Sequence, residues 1–133
     1  MASKLAESRK AAFDIANRLD AAADAIRKRS KRAYGAGRMS LEEYMEARAR
    51  ELELRSELSV IAATDLSTAL EEAAEAGEDI EQSILDAKAQ IERIRSVKSG
   101  LKIVAALVSL AGALAAGDVK LVLKAGKAVA ELT

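Results

Sequence analysis

The chain contains no proline, cysteine, histidine or tryptophan, and its aromatic residues are limited to Phe13, Tyr34 and Tyr44. Without cysteine there is no disulfide and no thiolate metal ligand, and without histidine the commonest general base is missing. Only carboxylates remain as metal ligands, and their spacing does not match a calcium loop. We therefore expect no metal, no cofactor, no catalytic residue and no small-molecule substrate, which means that the protein is not an enzyme.

Alanine, leucine, glutamate, lysine and arginine dominate the remaining composition of the 133-residue chain. These residues favour helices, and strand-forming residues never alternate with polar ones. We predict an all-α fold and a single domain over residues 1–133. The formal net charge is zero, so there is no global attraction to nucleic acid or membrane. Residues 1–16 lack an apolar signal core, so we expect a cytoplasmic or non-classically exported protein, with membrane association as a further option.

The periodicity of apolar residues predicts helices over residues 3–34, 41–76, 79–116 and 118–132. Short connections make neighbouring long helices antiparallel. The predicted architecture is an elongated antiparallel three-helix bundle with long helices, plus a short C-terminal fourth helix packed at one end. The near-heptad spacing would also serve a coiled coil with another chain.

Capping residues support these boundaries. Ser40 and Glu43 form a capping box before the second helix, and Asp118 is a good N-cap for the last one. Gly77 is expected to end the second helix in a left-handed conformation. The third helix is expected to run unbroken to residue 116, with Ser99 and Gly100 as an alternative hinge.

Apolar stripes indicate which helix faces are buried. In the second helix, we expect Leu41, Met45 and Leu52 to lie on the stripe, with Leu54 and Ile61 widening it. The third helix has the cleanest stripe, which is formed by Ile80, Ile84, Ala87, Ile91, Ile94, Val97, Leu101, Val104, Val108, Ala111 and Ala115.

Residues 103–117 carry no charge on a chain that is about one-third charged. A helix that is apolar on every face needs an apolar cover, from its own chain, a second copy, a partner or lipid. The run spans about 22 Å, which is too short for a constitutive membrane span. The predicted apolar interaction surface consists of Ile103, Val104, Leu107, Val108, Leu110, Leu114, Val119, Val122 and Leu123.

Charge is distributed unevenly along the chain. Residues 27–38 contain six basic side chains and no acidic one, whereas residues 65–81 are acidic without a basic one. We expect the apolar run and the last helix to lie beside the basic tip. The predicted surface for anions is formed by Arg27, Lys28, Arg29, Lys31, Arg32, Arg38, Lys98, Lys102, Lys120, Lys124 and Lys127.

These features predict a non-enzymatic bundle that acts through an apolar, cationic end. In the first interpretation, residues 101–132 form an amphipathic hairpin that self-associates into a homo-oligomer or contacts an anionic membrane. In general plan this hairpin is similar to the apolar hairpins of α-helical pore-forming toxins, without a shared motif. In the second, the protein is a soluble protein-binding module such as an inhibitor, immunity or adaptor protein. In the third, the basic tip binds the phosphate backbone of a nucleic acid, although aromatic side chains for base stacking are lacking.

Overall fold

The computed structural model describes the backbone of residues 2–63, 74–93 and 96–133, and the side chains of residues 13–61, 79–93 and 96–133. Five helices occupy this part of the chain, and it contains no strand. They are α1 (Ala2–Gly35), α2 (Leu41–Ala63), α3 (Ala74–Arg93), α4 (Val97–Ala116) and α5 (Val119–Leu132). The all-α prediction is confirmed, whereas the layout of three long helices with a short fourth differs from the structure in the number of helices.

Side-chain contacts give the direction of the first three helices. The Arg55 guanidinium on α2 reaches Asp24 on α1, and the rings of Tyr34 and Tyr44 stack with their centroids 4.8 Å apart across the turn between the two helices. Helices α1 and α2 are therefore antiparallel. Arg18, at the middle of α1, pairs with Glu81 on α3, and the later parts of these two helices also lie side by side. Helices α1 and α3 are therefore parallel, as expected.

The predicted third helix is two helices, because the chain turns back between Arg93 and Val97. Ser96 has an extended backbone, with φ of −77° and ψ of 113°, and its hydroxyl accepts a hydrogen bond from the Ser99 N–H at 3.3 Å. Helix α4 then packs along α2 and α5 and contacts α3 much less extensively. The turn precedes the predicted hinge at Ser99 and Gly100, which lie in the first turn of α4.

The reversal has a clear hydrophobic cause. An unbroken helix would carry α4 about 30 Å beyond the end of α1, where nothing in the chain would cover its apolar residues. Folded back, α4 has α2 on one side and α5 on the other. The large side chains of α4 are thereby removed from water.

Several predicted helix ends are confirmed. The Ser40 N–H donates to Glu43 Oε1 at 2.9 Å while the Glu43 N–H donates to Ser40 Oγ at 3.0 Å. Gly117 ends α4 in the left-handed conformation, with φ of 68°, and Asp118 caps α5 by accepting from the Leu121 N–H at 3.2 Å. The prediction for Gly77 is wrong, because this residue lies inside α3.

The second helix does not extend to residue 76, where we predicted its end. Residues 74–76 already belong to α3. Residues 64–73, which contain three of the seven acidic residues of the predicted acidic stretch, are outside the described part of the chain, as are Ile94 and Arg95.

The core draws on all five helices. Its largest fully buried aliphatic side chains are Ile15, Leu19, Ile26, Leu54, Ile84, Leu107, Leu110, Leu114, Val122 and Val129. Gly126 lets α5 approach α3 closely, since a Cβ at this position would lie 3.1 Å from the side chain of Ile80. The close helix contact expected of a glycine inside a helix is present at this position.

The stripe predicted for the second helix combines two faces, and only one of them is buried. Leu41, Met45 and Leu52 are exposed, whereas Leu54 and Ile61 are buried in the core. Both sets are spaced as helical stripes, so periodicity fits either face. The neighbouring helices determine which face of α2 is buried, because α1 and α4 both lie on the side of Leu54.

Candidate functional site

Helix α4 has one buried face and one outer face. The predicted apolar surface falls mostly on the buried side: Ile103, Val104, Leu107, Leu110, Leu114 and Val122 belong to the core. Val108 and Val119 are partly buried, and of the nine predicted residues only Leu123 is exposed. The large side chains of the uncharged run are therefore covered by α2 and α5 of the same chain.

The outer face of α4 consists of small, uncharged residues. Ala105, Ser109, Gly112 and Ala116 follow one another at intervals of four, three and four residues, which places them on one line along the helix. We call these four residues the outer stripe. Ser109 and Ala116 are exposed, and Ala105 and Gly112 are partly exposed.

A shallow groove of about 340 Å³ runs beside this stripe, between α4 and α5. Its α5 side is formed by Leu121, Lys124, Ala125 and Ala128, and the Leu121 side chain is 49% exposed. Apolar surface of this kind, without a charge on the α4 side, is typical of a contact with another helix.

Helix α4 is also the one helix in the described residues that is long and apolar enough to cross a membrane, with a mean hydropathy of 1.8. However, core helices of water-soluble bundles have the same length and composition. Its largest side chains are buried, but only 39% of its apolar window is buried inside the molecule, because the outer face stays open.

The predicted anion-binding residues do not form a single cluster. Arg27, Lys28, Arg29, Lys31, Arg32 and Arg38 lie at the end of α1 and in the turn that follows, and Lys98 and Lys102 lie at the start of α4. These two groups are close, because the ends of α1 and α3 and the starts of α2 and α4 line one cavity.

Lys120, Lys124 and Lys127 lie elsewhere. Helix α4 leads away from the basic tip, and α5 packs on the first turns of α3, where Lys127 borders a groove with Asp79. The expectation that these lysines and the whole apolar run lie beside the basic tip is therefore wrong. The expectation failed because the chain reverses its direction between α3 and α4.

The cavity at the basic tip is too small for a cofactor. It measures about 50 Å³ and is lined mainly by apolar residues such as Ile26, Ile91 and Val104, with Arg29 and Arg38 at its edge. Binding sites for small molecules usually have volumes of about 300–1,000 Å³. Among the described residues, no group of three histidine, cysteine or acidic side chains is arranged to hold a metal ion.

A charged network between α1 and α2 was not expected from the sequence. The carboxylate of Glu51 is buried and accepts from Arg48 Nη1 at 2.6 Å and from Arg55 Nε at 2.8 Å. Arg55 Nη2 also donates to Asp24 Oδ1 at 2.8 Å. This hydrogen bond lowers the pKa of Asp24, and the bonds from Arg55 to Asp24 and Glu51 raise the pKa of the guanidinium.

The network joins two helices and serves the fold. Arg48 and Arg55 stand three residues before and four residues after Glu51, a spacing that indicates contacts along one helix. Nothing in the sequence identifies Asp24 as the partner across the helix boundary. Every buried side-chain nitrogen and oxygen in the described residues has a hydrogen-bond partner.

Neither protein-family models nor curated protein sequences nor solved structures give a significant match to this chain. The function is therefore inferred from the chemistry of its own surfaces.

Proposed function

We propose that the protein is a non-enzymatic helical module that works by self-association, with the outer stripe of α4 packed against the same stripe of a second copy. The observation that carries this proposal is Gly112. A Cβ at this position would have no heavy atom within 4 Å, so the chain's own packing does not require a glycine there. Glycine inside a helix costs about 1 kcal/mol relative to alanine. A second helix packed closely against α4 would require a small residue at this position, which explains why a glycine is present despite its cost.

The rest of the outer stripe fits the same contact. Ala105, Ser109 and Ala116 are also small, and small residues allow two helix backbones to approach closely. No charged side chain interrupts the stripe, so burying it leaves no unpaired charge. A two-fold symmetric pair uses the same surface on both copies and needs no second complementary patch.

Charges at the two ends of α4 favour an antiparallel pair. Lys98 and Lys102 lie near the N-terminus of α4, where the helix dipole disfavours cations, and the first turn carries no acidic residue. If two α4 helices cross between Ser109 and Gly112, Lys102 of one copy approaches Asp118 and the C-terminal end of α4 in the other. Both the carboxylate and the helix dipole then attract the lysine.

The proposal is tested by measuring the mass of the intact protein in solution over a range of concentrations. We expect the mass to rise from monomer to dimer, and we expect Ser109→Arg to raise the dissociation constant at least about tenfold. Ser56→Arg is the matched control, because Ser56 is an exposed serine on α2, away from the outer stripe. A protein that stays monomeric at every concentration, or equal effects of both substitutions, would overturn the proposal.

A membrane is the second candidate for the partner of α4, and the length and hydropathy of the helix favour it. Vesicles of phosphatidylcholine and phosphatidylglycerol in equal amounts distinguish the two. If the protein is monomeric in solution but releases dye from these vesicles, and Ser109→Arg prevents the release, α4 acts on lipid and the self-association proposal fails.

A further inference from the structure

A second surface, on another side of the molecule, has an unbalanced positive charge. An open groove of about 570 Å³ lies between the parallel helices α1 and α3. Its charged lining comprises Lys28, Arg29, Arg32, Lys88 and Arg93, together with the carboxylates of Asp24 and Glu92. We call it the α1–α3 groove, and its basic side chains outnumber its acidic ones by five to two.

Both carboxylates of the groove already have a basic partner. Asp24 Oδ1 lies 2.8 Å from Arg55 Nη2 on α2, and Glu92 Oε1 lies 3.4 Å from Lys88 Nζ. Lys28, Arg32 and Arg93 are exposed and have no carboxylate within 4 Å in the described part of the chain. Three basic side chains of the groove therefore form no ion pair in the described part of the chain, although Lys28 is close enough to Asp24 to help lower the pKa of that carboxyl.

The α3 side of this site comes from the fold and not from the predicted basic tip. Lys28 and Arg32 belong to the basic segment 27–38, but Lys88 and Arg93 lie far from it in the sequence. The parallel packing of α1 and α3 brings the two pairs to opposite walls of one groove. Ala21 and Ala25 are also part of the lining, and their short side chains leave room for a ligand.

We propose that the α1–α3 groove binds the phosphodiester backbone of a nucleic acid without reading its sequence. Lys28 and Arg32 are one helical turn apart, about 6 Å along α1, so they reach separate phosphates of a polymer. A concave groove also fits a linear chain better than the flat surface of a membrane. No aromatic residue lines the groove, so base stacking does not contribute.

Arg93 has hydrogen-bond donors that are available to bind a phosphate. Its Nε donates to the carbonyl oxygen of Ala89 at 3.3 Å, which holds the side chain along α3. Its two terminal nitrogens remain for the ligand, and a guanidinium binds a phosphate through two parallel N–H groups.

The test is the salt dependence of binding to a mixed-sequence DNA duplex, measured by fluorescence anisotropy with the full chain. Binding that neutralises Z phosphates falls with salt with a logarithmic slope of about −0.9Z. In the double variant Arg32→Gln/Arg93→Gln we expect the slope to become shallower by about 1.8 and the affinity at about 0.1 M salt to fall about fiftyfold.

Lys120→Gln/Lys127→Gln is the matched control. It removes the same number of positive charges from exposed positions of α5, outside the groove, and we expect it to leave the slope unchanged. All four positions are exposed, so helicity measured by circular dichroism should be preserved in both double variants.

Three results would overturn the proposal: no binding of the duplex by the wild-type protein, equal weakening by the two double variants, or no change of slope in Arg32→Gln/Arg93→Gln. Vesicles of phosphatidylcholine and phosphatidylglycerol test the other source of phosphates. Binding to these vesicles through Arg32 and Arg93, without binding to the duplex, would assign the groove to lipid headgroups instead.

Discussion

At the scale of single residues, Glu51 shows how this fold accepts a buried charge. An isolated carboxylate away from water is strongly unfavourable. Here two guanidinium groups, from Arg48 and Arg55, hold its two oxygens. Arg55 in turn reaches Asp20 and Asp24 on α1, so the burial of one acidic residue on α2 is linked to the contact between two helices.

The contact between Asp24 and Arg55 makes stability depend on pH. The hydrogen bond from Arg55 lowers the pKa of Asp24 below its ordinary value of 3.8 in the folded chain. A carboxylate with a lowered pKa stabilises the fold fully above its unfolded pKa, and this contribution disappears as the pH falls through the folded pKa.

We therefore expect Asp24→Asn to lower the free energy of unfolding at neutral pH by at most about 1 kcal/mol, because the pair is exposed to solvent. The difference from the wild type should vanish below about pH 3. Urea unfolding at several pH values measures it, and the same substitution in an Arg55→Gln background should have little effect. A difference that stays constant down to pH 2 would contradict the assignment.

At the scale of elements, α4 is apolar on both faces, but the structure uses the two faces differently. Leu110 is fully buried, whereas Val108, two residues earlier, is partly exposed. The sequence shows an uncharged run and does not separate these positions. The packing of α2 and α5 does, because it covers one side of α4 and leaves the outer stripe open.

The two faces are distinguished by placing a charge on each. We expect Leu110→Asp to lower the free energy of unfolding by at least about 4 kcal/mol, since it leaves an unpaired charge in the core. Val108→Asp should cost less, about 1–2 kcal/mol, because Val108 packs against the edge of the core and is only partly buried. Chemical denaturation measures both, and equal losses of stability would show that both positions are buried.

Helix α2 carries apolar residues on opposite sides, and the predicted stripe included residues from both sides. Leu41, Met45 and Leu52 are exposed, and Ala47, Leu54 and Ile61 are buried. A helix with two apolar faces has no single direction of amphipathicity, so its sequence alone does not orient it. Of its charged residues, Arg55 marks the side of α2 that faces α1, because it reaches Asp20 and Asp24 there.

At the scale of the whole molecule, the turn at Ser96 decides the shape. A continuous helix over residues 79–116 would form an elongated rod with an uncovered apolar end. The reversal shortens the molecule and moves the lysines of α5 away from the basic tip. The groove between α1 and α3 does not depend on this reversal, because the parallel packing of these two helices brings their basic side chains together.

Distances between labelled positions test this reversal directly. The chain has no cysteine, so cysteines introduced at Gln82 and Ala116 are labelled uniquely with spin labels. An unbroken helix would separate these positions by about 51 Å. Because Gly126 on α5 lies against Ile80 and is about 10 Å along α5 from its start, we expect about 15–25 Å instead. A measured distance near 50 Å would show that α3 and α4 are one helix.

Local patterns in the sequence are enough to predict the helical class, the capping box at Ser40 and Glu43, the N-cap of α5 at Asp118 and the buried stripe of α3, because these features depend on neighbouring residues. Long-range packing determines where the predicted third helix turns back, which face of α2 is buried and which cations share a groove. These depend on how much apolar surface distant segments cover, a quantity that no local pattern in this chain contains.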